Sequence, residues 1–270
     1  MYIGMRQSQK AFDMFRMPLV KCFLAISVSW LFCCTELHAQ RDSSSEIRVM
    51  WQDAGKMLNE PMRWNQADWA AFVGVSAGTM ILFQFDSEIE SMVLDSRRRS
   101  VMDLTSYGIE PFGNGLYSLP LLAGLGAYGK LKGEEQHVQV AFAGLEAFVF
   151  SAGGATCSKW IFQRHRPSDN IPLDPFVFEG PLGDLRDDGS FVSRHAASAF
   201  AVATVLASCY GKQREWVPWL AYGLAGAVTA SRVYNGRHWS SDAFAGAALG
   251  VVTGKFVYRM RKSRGLLKTF

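Results

Sequence analysis

Long apolar segments separated by short polar turns dominate the chain after residue 69. The segments are rich in Ala, Gly, Leu, Val and Phe, and each is longer than the roughly 4–8 residues of a buried strand. They cover residues 70–85, 116–131, 138–162, 196–210, 217–233 and 243–258. The turns between them carry Gly, Pro, Asp, Asn and charged residues, which interrupt helices. This pattern predicts an all-α fold, a bundle of about six helices.

The first 39 residues have the pattern of a targeting segment. Four basic residues precede an apolar run of 13 residues, 22–34, which is too short to cross a bilayer comfortably. Ala39 and Gln40 then offer a cleavage position. We therefore expect a signal peptide over residues 1–39, with an uncleaved anchor as the alternative. A polar lead-in, loose or short-helical, is expected over 40–69, the helical domain over 70–262 and a basic tail over 263–270.

The composition narrows the class of protein. Apolar residues make up 49% of the chain and charged residues 19%, a balance more apolar than that of an ordinary soluble domain. The net charge is only +4, and no basic stripe is interleaved with aromatic residues. Nucleic acid is therefore not an expected partner.

Three ordered polar motifs carry the candidate chemistry. They are Lys159 with six residues before Arg166-Pro167, then Ser193-Arg194-His195, and then Ser231-Arg232 with five residues before His238 and three more before Asp242. Cations and a hydroxyl group are suited to binding a tetrahedral oxyanion. One imidazole can then attack the anion while another protonates the leaving group. The motifs therefore indicate a site that binds and cleaves an oxyanion ester.

The expected helices place the three motifs together. The first motif lies at the end of the third helix, the second at the start of the fourth, and the third between the fifth and sixth. In an up-and-down bundle these termini share one end, and a helix N-terminus presents free N–H groups to an anion. We therefore expect the active site at one end of the bundle. The long loop 167–192 is expected to face the substrate as a lid.

The motifs resemble the signature of the type-2 phosphatidic acid phosphatase family, which includes bacterial acid phosphatases and vanadium haloperoxidases. That signature is Lys-x6-Arg-Pro, Pro-Ser-Gly-His and Ser-Arg-x5-His-x3-Asp. The first and third motifs match it in full. The second differs at Val192, where the family has Pro, and at Arg194, where it has Gly. The resemblance covers roughly residues 115–260.

The resemblance implies a metal-independent phosphatase that hydrolyses phosphomonoesters through a phosphohistidine intermediate. The implied substrate is a lipid phosphate or a lipid pyrophosphate. His238 would be the nucleophile, Asp242 would accept a hydrogen bond from its other ring nitrogen, and His195 would be the general acid. The implied phosphate-binding residues are Lys159, Arg166, Ser193, Arg194 (through its backbone N–H) and Arg232. No metal and no other cofactor is implied, because fixed cations neutralise the phosphate.

Two other functions stay open at this point. A vanadium-dependent haloperoxidase would use the same residues, because vanadate is also a tetrahedral oxyanion. A degenerate, non-catalytic phosphate-binding module of the membrane would follow if Arg194 blocked the pocket. Near the motifs, Arg164 and His165 are expected to belong to a solvated helix end, and Trp239 is expected to pack in the interior.

Basic residues predict the orientation in the cell envelope. The last 16 residues carry six of them, and Lys212 and Arg214 lie at the same end of the expected bundle. The positive-inside tendency makes that end cytoplasmic. We therefore expect a membrane-associated protein whose active site lies on the periplasmic or extracellular side, with a soluble periplasmic bundle as the alternative. The expected partners are the membrane and a phosphate-ester substrate, a lipid. The particular ester and the oligomeric state stay open.

Overall fold

The computed structural model describes residues 40–97, 108–169, 172–183 and 189–267. The signal or anchor predicted for residues 1–39 and the end of the basic tail lie outside these residues. The chain clusters into two compact units, Met1–Val49 and Met50–Phe270. The site and every contact given below lie in the second unit.

The described residues form seven α-helices and no strand, apart from an isolated bridge between Arg164 and Phe178. The all-α prediction is therefore confirmed. The helices are α1 (Gln40–Leu58), α2 (Gln66–Arg97), α3 (Ser118–Lys132), α4 (Glu135–Phe162), α5 (Arg194–Tyr210), α6 (Trp216–Tyr234) and α7 (Ser240–Ser263).

Helices α2 to α7 correspond to the six apolar segments, and the differences lie near the N-terminus. The segment expected to be a loose or short-helical lead-in contains α1, a helix of 19 residues. Its apolar residues recur at intervals of three and four, which favours an amphipathic helix in spite of its polar composition. Helix α2 continues to Arg97. Its second half is polar, but Ile89, Met92 and Val93 keep the helical spacing.

Helix α5 lies at the centre of the bundle and packs against α4, α6 and α7. Three glycines spaced by four residues on α7, Gly246, Gly250 and Gly254, face the backbone of α5. A Cβ atom at Gly246 would lie 2.5 Å from the carbonyl oxygen of Ser193, and one at Gly254 would lie 2.7 Å from that of Ala201. The contacts advance along both helices in the same direction, so α5 and α7 run parallel in close backbone contact.

The parallel arrangement brings particular helix termini together. The N-termini of α5 and α7 lie at one end of the bundle, and the C-termini of their sequence neighbours α4 and α6 come to the same end. All three motifs occupy these termini or the loops that join them.

The other end of the bundle contains buried charges. Arg261, near the end of α7, is fully buried and donates from Nε to Glu146 at 2.6 Å. Arg264 forms an ion pair with the buried carboxylate of Asp53. Two of the basic residues used to predict the cytoplasmic end are therefore neutralised by carboxylates inside the protein and contribute little to a positive surface.

Two of the described helices are long and apolar enough to cross a bilayer. These are Gln66–Asp95, with mean hydropathy 1.2, and Glu135–Phe162, with mean hydropathy 1.4. Only 11% of the apolar stretch of the first is buried in the protein. Its exposed apolar side chains include Phe72, Val73, Met80 and Ile81. Such a surface is typical of a helix that faces lipid.

Candidate active site

The structure brings the sequence-predicted site residues to one end of the bundle. Lys159 lies in the last turn of α4, and Arg166 follows in the loop. Arg194 and His195 begin α5, after the N-cap residue Ser193. Arg232 lies in the last turn of α6. His238 precedes α7, and Asp242 lies in the first turn of that helix.

His238 is buried and held by the loop between α4 and α5. Its side chain is 2% exposed, and its Nδ1 atom lies 2.8 Å from the carbonyl oxygen of Ser190. A carbonyl oxygen only accepts hydrogen bonds, so Nδ1 carries the proton. Burial, reinforced by the charges of Lys159 and Arg232, holds the pKa of His238 well below its ordinary value. The ring is therefore neutral near pH 7, with a free electron pair on Nε2.

Asp242 does not make the hydrogen bond that the resemblance implied. Its Oδ2 atom lies 3.9 Å from Nδ1 of His238, which is beyond hydrogen-bonding distance. Oδ2 instead accepts the backbone N–H of Trp239 at 2.9 Å. Asp242 is the third residue of α7, and from this position a carboxylate reaches back to the N-cap residue. Burial raises the pKa of Asp242, while Arg164 and the N–H of Trp239 oppose the rise.

Arg164 is a structural centre of the site, and the expectation of a solvated helix end was wrong for it. The side chain is fully buried. Nη1 donates to Oδ1 of Asp242 at 2.6 Å, and Nη2 donates to Oδ2 of Asp86 at 2.8 Å. The guanidinium carbon lies 4.0 Å from the centre of the Phe83 ring. Trp239 is buried and packs beside this group, as predicted.

Asp86 of α2 was not found by sequence reasoning. Besides Arg164, it accepts hydrogen bonds from the hydroxyl of Ser240 at 2.6 Å and from the backbone N–H of Ser241 at 3.0 Å. It therefore fixes the start of α7, which carries Asp242 and follows His238. The one signal in the sequence was an aspartate following a long apolar stretch, a position where charge is expensive and usually has a partner.

The cationic side chains of the motifs surround the two imidazoles. Nζ of Lys159 is buried and donates to the carbonyl oxygen of Gly189 at 2.5 Å. Arg232 is 5% exposed, Arg166 is half-buried and Arg194 is exposed. Burial, followed by the charges of Arg232 and Arg194, holds the pKa of His195 well below its ordinary value. The pocket is thus electropositive.

Part of the loop 167–192 is a support of the site. The carbonyl oxygen of Gly189 accepts a hydrogen bond from Lys159, and that of Ser190 accepts one from His238. The carbonyl oxygen of Pro175 accepts a hydrogen bond from Nε of Arg164 at 2.9 Å. Residues 170–171 and 184–188 of this loop lie outside the described residues. The lid function stays a prediction.

A carboxylate also lies in the pocket, and sequence reasoning placed it only in a turn. Glu110 begins the 3₁₀ turn Glu110–Phe112. Its Oε1 atom forms an ion pair with Nη1 of Arg232 and lies 3.9 Å from Nε2 of His195. The turn is held over His195, because a Cβ atom at Gly113 would lie 2.8 Å from Cβ of His195.

A cationic pocket with two neutral imidazoles, built at the helix termini of an all-α bundle, is a binding site for a tetrahedral oxyanion. Residues 140–266 match the model of the PAP2 superfamily. The resemblance found in the motifs is therefore confirmed.

Similar proteins include two from Porphyromonas gingivalis. The chain is 41% identical over 81 residues to a lipid A 1-phosphatase, covering 28% of this chain and 18% of that protein. It is 26% identical over 102 residues to a lipid A 4'-phosphatase, covering 38% of this chain and 42% of that protein. The chain thus spans less than half the length of these curated relatives.

The fold is similar to the crystal structure of a transmembrane PAP2 type phosphatidylglycerolphosphate phosphatase from Bacillus subtilis. The TM-score is 0.53 at 23% sequence identity, and the match covers 71% of this chain and 96% of that one. At this identity the similarity concerns the fold.

Proposed function

We propose that this protein is a metal-independent phosphatase that hydrolyses a lipid phosphate through a phosphohistidine at His238. The hydrogen bond from Nδ1 of His238 to the carbonyl oxygen of Ser190 carries the proposal. It selects the tautomer in which Nε2 has a free electron pair, and burial keeps the ring neutral. These are the two requirements for an imidazole nucleophile.

The reaction has two steps. In the first, Nε2 of His238 attacks phosphorus, the bond to the leaving oxygen breaks, and that oxygen takes a proton from His195. In the second, water attacks phosphorus, His195 takes its proton, and the P–N bond breaks to return the electron pair to Nε2. His195 must be protonated in the first step. A bound phosphate dianion opposes the arginine charges that lower its pKa and so favours the protonated form.

The cations supply the binding energy. Lys159, Arg166 and Arg232 neutralise the phosphoryl oxygens, and the guanidinium groups offer paired donors. The N-terminus of α5 adds Ser193 and the backbone N–H of Arg194. Asp242 has a positioning role here: through Arg164 and the N–H of Trp239 it holds the turn that carries His238. The exposed side chain of Arg194 argues against a blocked, degenerate pocket.

Three observations support a lipid ester over a soluble one. Lipid A phosphatases are among the relatives. Helix α2 exposes apolar side chains over most of its length. An apolar cavity of about 310 Å³ lies between α3, α5 and α6, and its lining includes Phe112, two residues after Glu110. Acyl chains fit such a cavity beside the phosphate pocket. We also propose a place in the cell envelope with the pocket on its outer side.

The test is phosphate release by the purified full chain from lipid A, phosphatidate and a soluble phosphomonoester, with and without EDTA. His238→Ala should reduce the rate by several orders of magnitude, because it removes the nucleophile. Brief incubation of the wild type with ³²P-labelled substrate should label the protein with an acid-labile, base-stable phosphate, and His238→Ala should stay unlabelled. More than a few per cent of activity in His238→Ala, or a strict Mg²⁺ requirement, would contradict the mechanism. Bromination of a dye with vanadate and peroxide, without phosphate release, would favour the haloperoxidase.

A further inference from the structure

We infer that Glu110 is the internal counter-anion of the pocket: it occupies a phosphate-oxygen position on Arg232, must leave when phosphate binds, and so weakens phosphate affinity. The inference rests on the proposed function, because it takes phosphate to bind at the same cations.

The contacts of Glu110 are those that a phosphate ester needs. Its Oε1 atom pairs with Nη1 of Arg232, the arginine at the end of α6, and approaches Nε2 of His195 to 3.9 Å. Nε of Arg232 is buried and has no hydrogen-bond partner among the described residues. The guanidinium is therefore only partly used by Glu110, and it retains a donor for a further oxygen of an anion.

The charges explain why a carboxylate lies there. Four basic residues are close enough to His195 for their charges to lower its pKa, so the pocket carries an excess of positive charge. These residues are Lys159, Arg166, Arg194 and Arg232. Asp242 compensates it only in part, because that carboxylate is paired with Arg164. A phosphate dianion brings the negative charge that the pocket lacks, and then repels a second anion on the same guanidinium.

Glu110 is placed so that it can leave. Its side chain is 26% exposed, whereas those of Asp86 and Asp242 are fully buried. It extends from a short turn, and a rotation about its side-chain torsions carries it into solvent without displacing a helix. Binding of phosphate therefore has to break the Glu110–Arg232 pair, and the lost pairing energy reduces the apparent affinity. The same competition helps inorganic phosphate to leave after the second step.

The experiment is isothermal titration of the full chain with inorganic phosphate, together with its inhibition constant in the phosphatase assay. Glu110→Gln keeps the size of the side chain and removes its charge. We expect phosphate to bind about tenfold more tightly, which corresponds to ~1.4 kcal/mol. Glu134→Gln is the matched control, because Glu134 pairs with His137 away from the pocket, and its phosphate affinity should equal that of the wild type.

Phosphate affinity in Glu110→Gln that equals or falls below that of the wild type overturns the inference. A loss of kcat with unchanged phosphate affinity also overturns it, and would assign Glu110 to the orientation of His195. If Glu110→Gln does not fold, Glu110→Asp is the second test. This variant keeps the negative charge but shortens the reach of the carboxylate to Arg232, so phosphate should bind more tightly by a smaller factor. An unchanged phosphate affinity in Glu110→Asp contradicts the inference. Failure of the proposed function looks different, because the wild type would then release no phosphate from any ester.

Discussion

Replacing Arg164 with Met tests whether the buried charge group holds the active site together. Among the described residues, Arg164 is the cation that forms hydrogen bonds with both Asp86 and Asp242. All three side chains are fully buried. Removing it leaves two carboxylates in the interior, and removal of one partner from a buried ion pair typically costs about 3–5 kcal/mol. We expect Arg164→Met to lower the free energy of unfolding by that amount, measured by denaturant titration in detergent.

The control is Arg259→Met, because Arg259 pairs with Glu60 at 3.2 Å on the surface and is 53% exposed. Exposed pairs of this kind contribute about 0–1 kcal/mol.

The pH dependence of the Arg164→Met defect provides a second check. Burial already raises the pKa of Asp242, and loss of the opposing Arg164 guanidinium raises that folded-state pKa further above its unfolded value. The folded state then binds more protons than the unfolded state, so the variant regains stability as the pH falls through the raised pKa. The defect should therefore be smaller at pH 5 than at pH 8. A cost below about 1 kcal/mol, or a defect that does not change with pH, would refute the reasoning.

Two further predictions concern the imidazoles and the helix contact. Burial lowers the pKa of His238 and His195, so we expect His238 to stay unprotonated in mildly acidic solution. If His238 is the nucleophile, the acid limb of kcat/KM should lie below the ordinary histidine value of about 6.5. A limb at or above that pH contradicts the assignment. Gly250→Ala should lower the free energy of unfolding by about 1–3 kcal/mol, because its Cβ would collide with the carbonyl oxygen of Ala197. Gly226→Ala in α6, where a Cβ meets nothing within 4 Å, should be neutral or stabilising by up to about 1 kcal/mol; equal losses in both variants would exclude the packing argument.

The sequence was sufficient to predict the bundle and the grouping of the motifs, because both depend on local order. The apolar segments of helical length determine the number of helices in the bundle, and each motif lies at a helix terminus. Alternating helices then bring those termini to one end. The same local rules missed α1, whose amphipathic spacing was hidden by its polar composition.

The arrangement of charges inside the site depends on long-range packing, which no local pattern contains. Arg164 pairs with Asp86 and Asp242 across separations of 78 residues each. The function of Asp242 depends on which donor its carboxylate reaches, and the N-terminus of α7 is nearer than the ring of His238. Glu110 enters the pocket because the following turn packs against His195.

The glycine contact between α5 and α7 has a mechanical consequence. Because the two backbones touch along three successive turns, they cannot slide or tilt against each other without collision, since packed interiors resist deformation. The backbone segments that carry His195 and His238 lie at the same end of this pair, so we expect the separation of these two segments to stay constant when a ligand binds. Any widening that admits a large substrate then has to come from elements outside the pair, such as the turn at Glu110, helix α6 with Arg232, or the loop between α4 and α5.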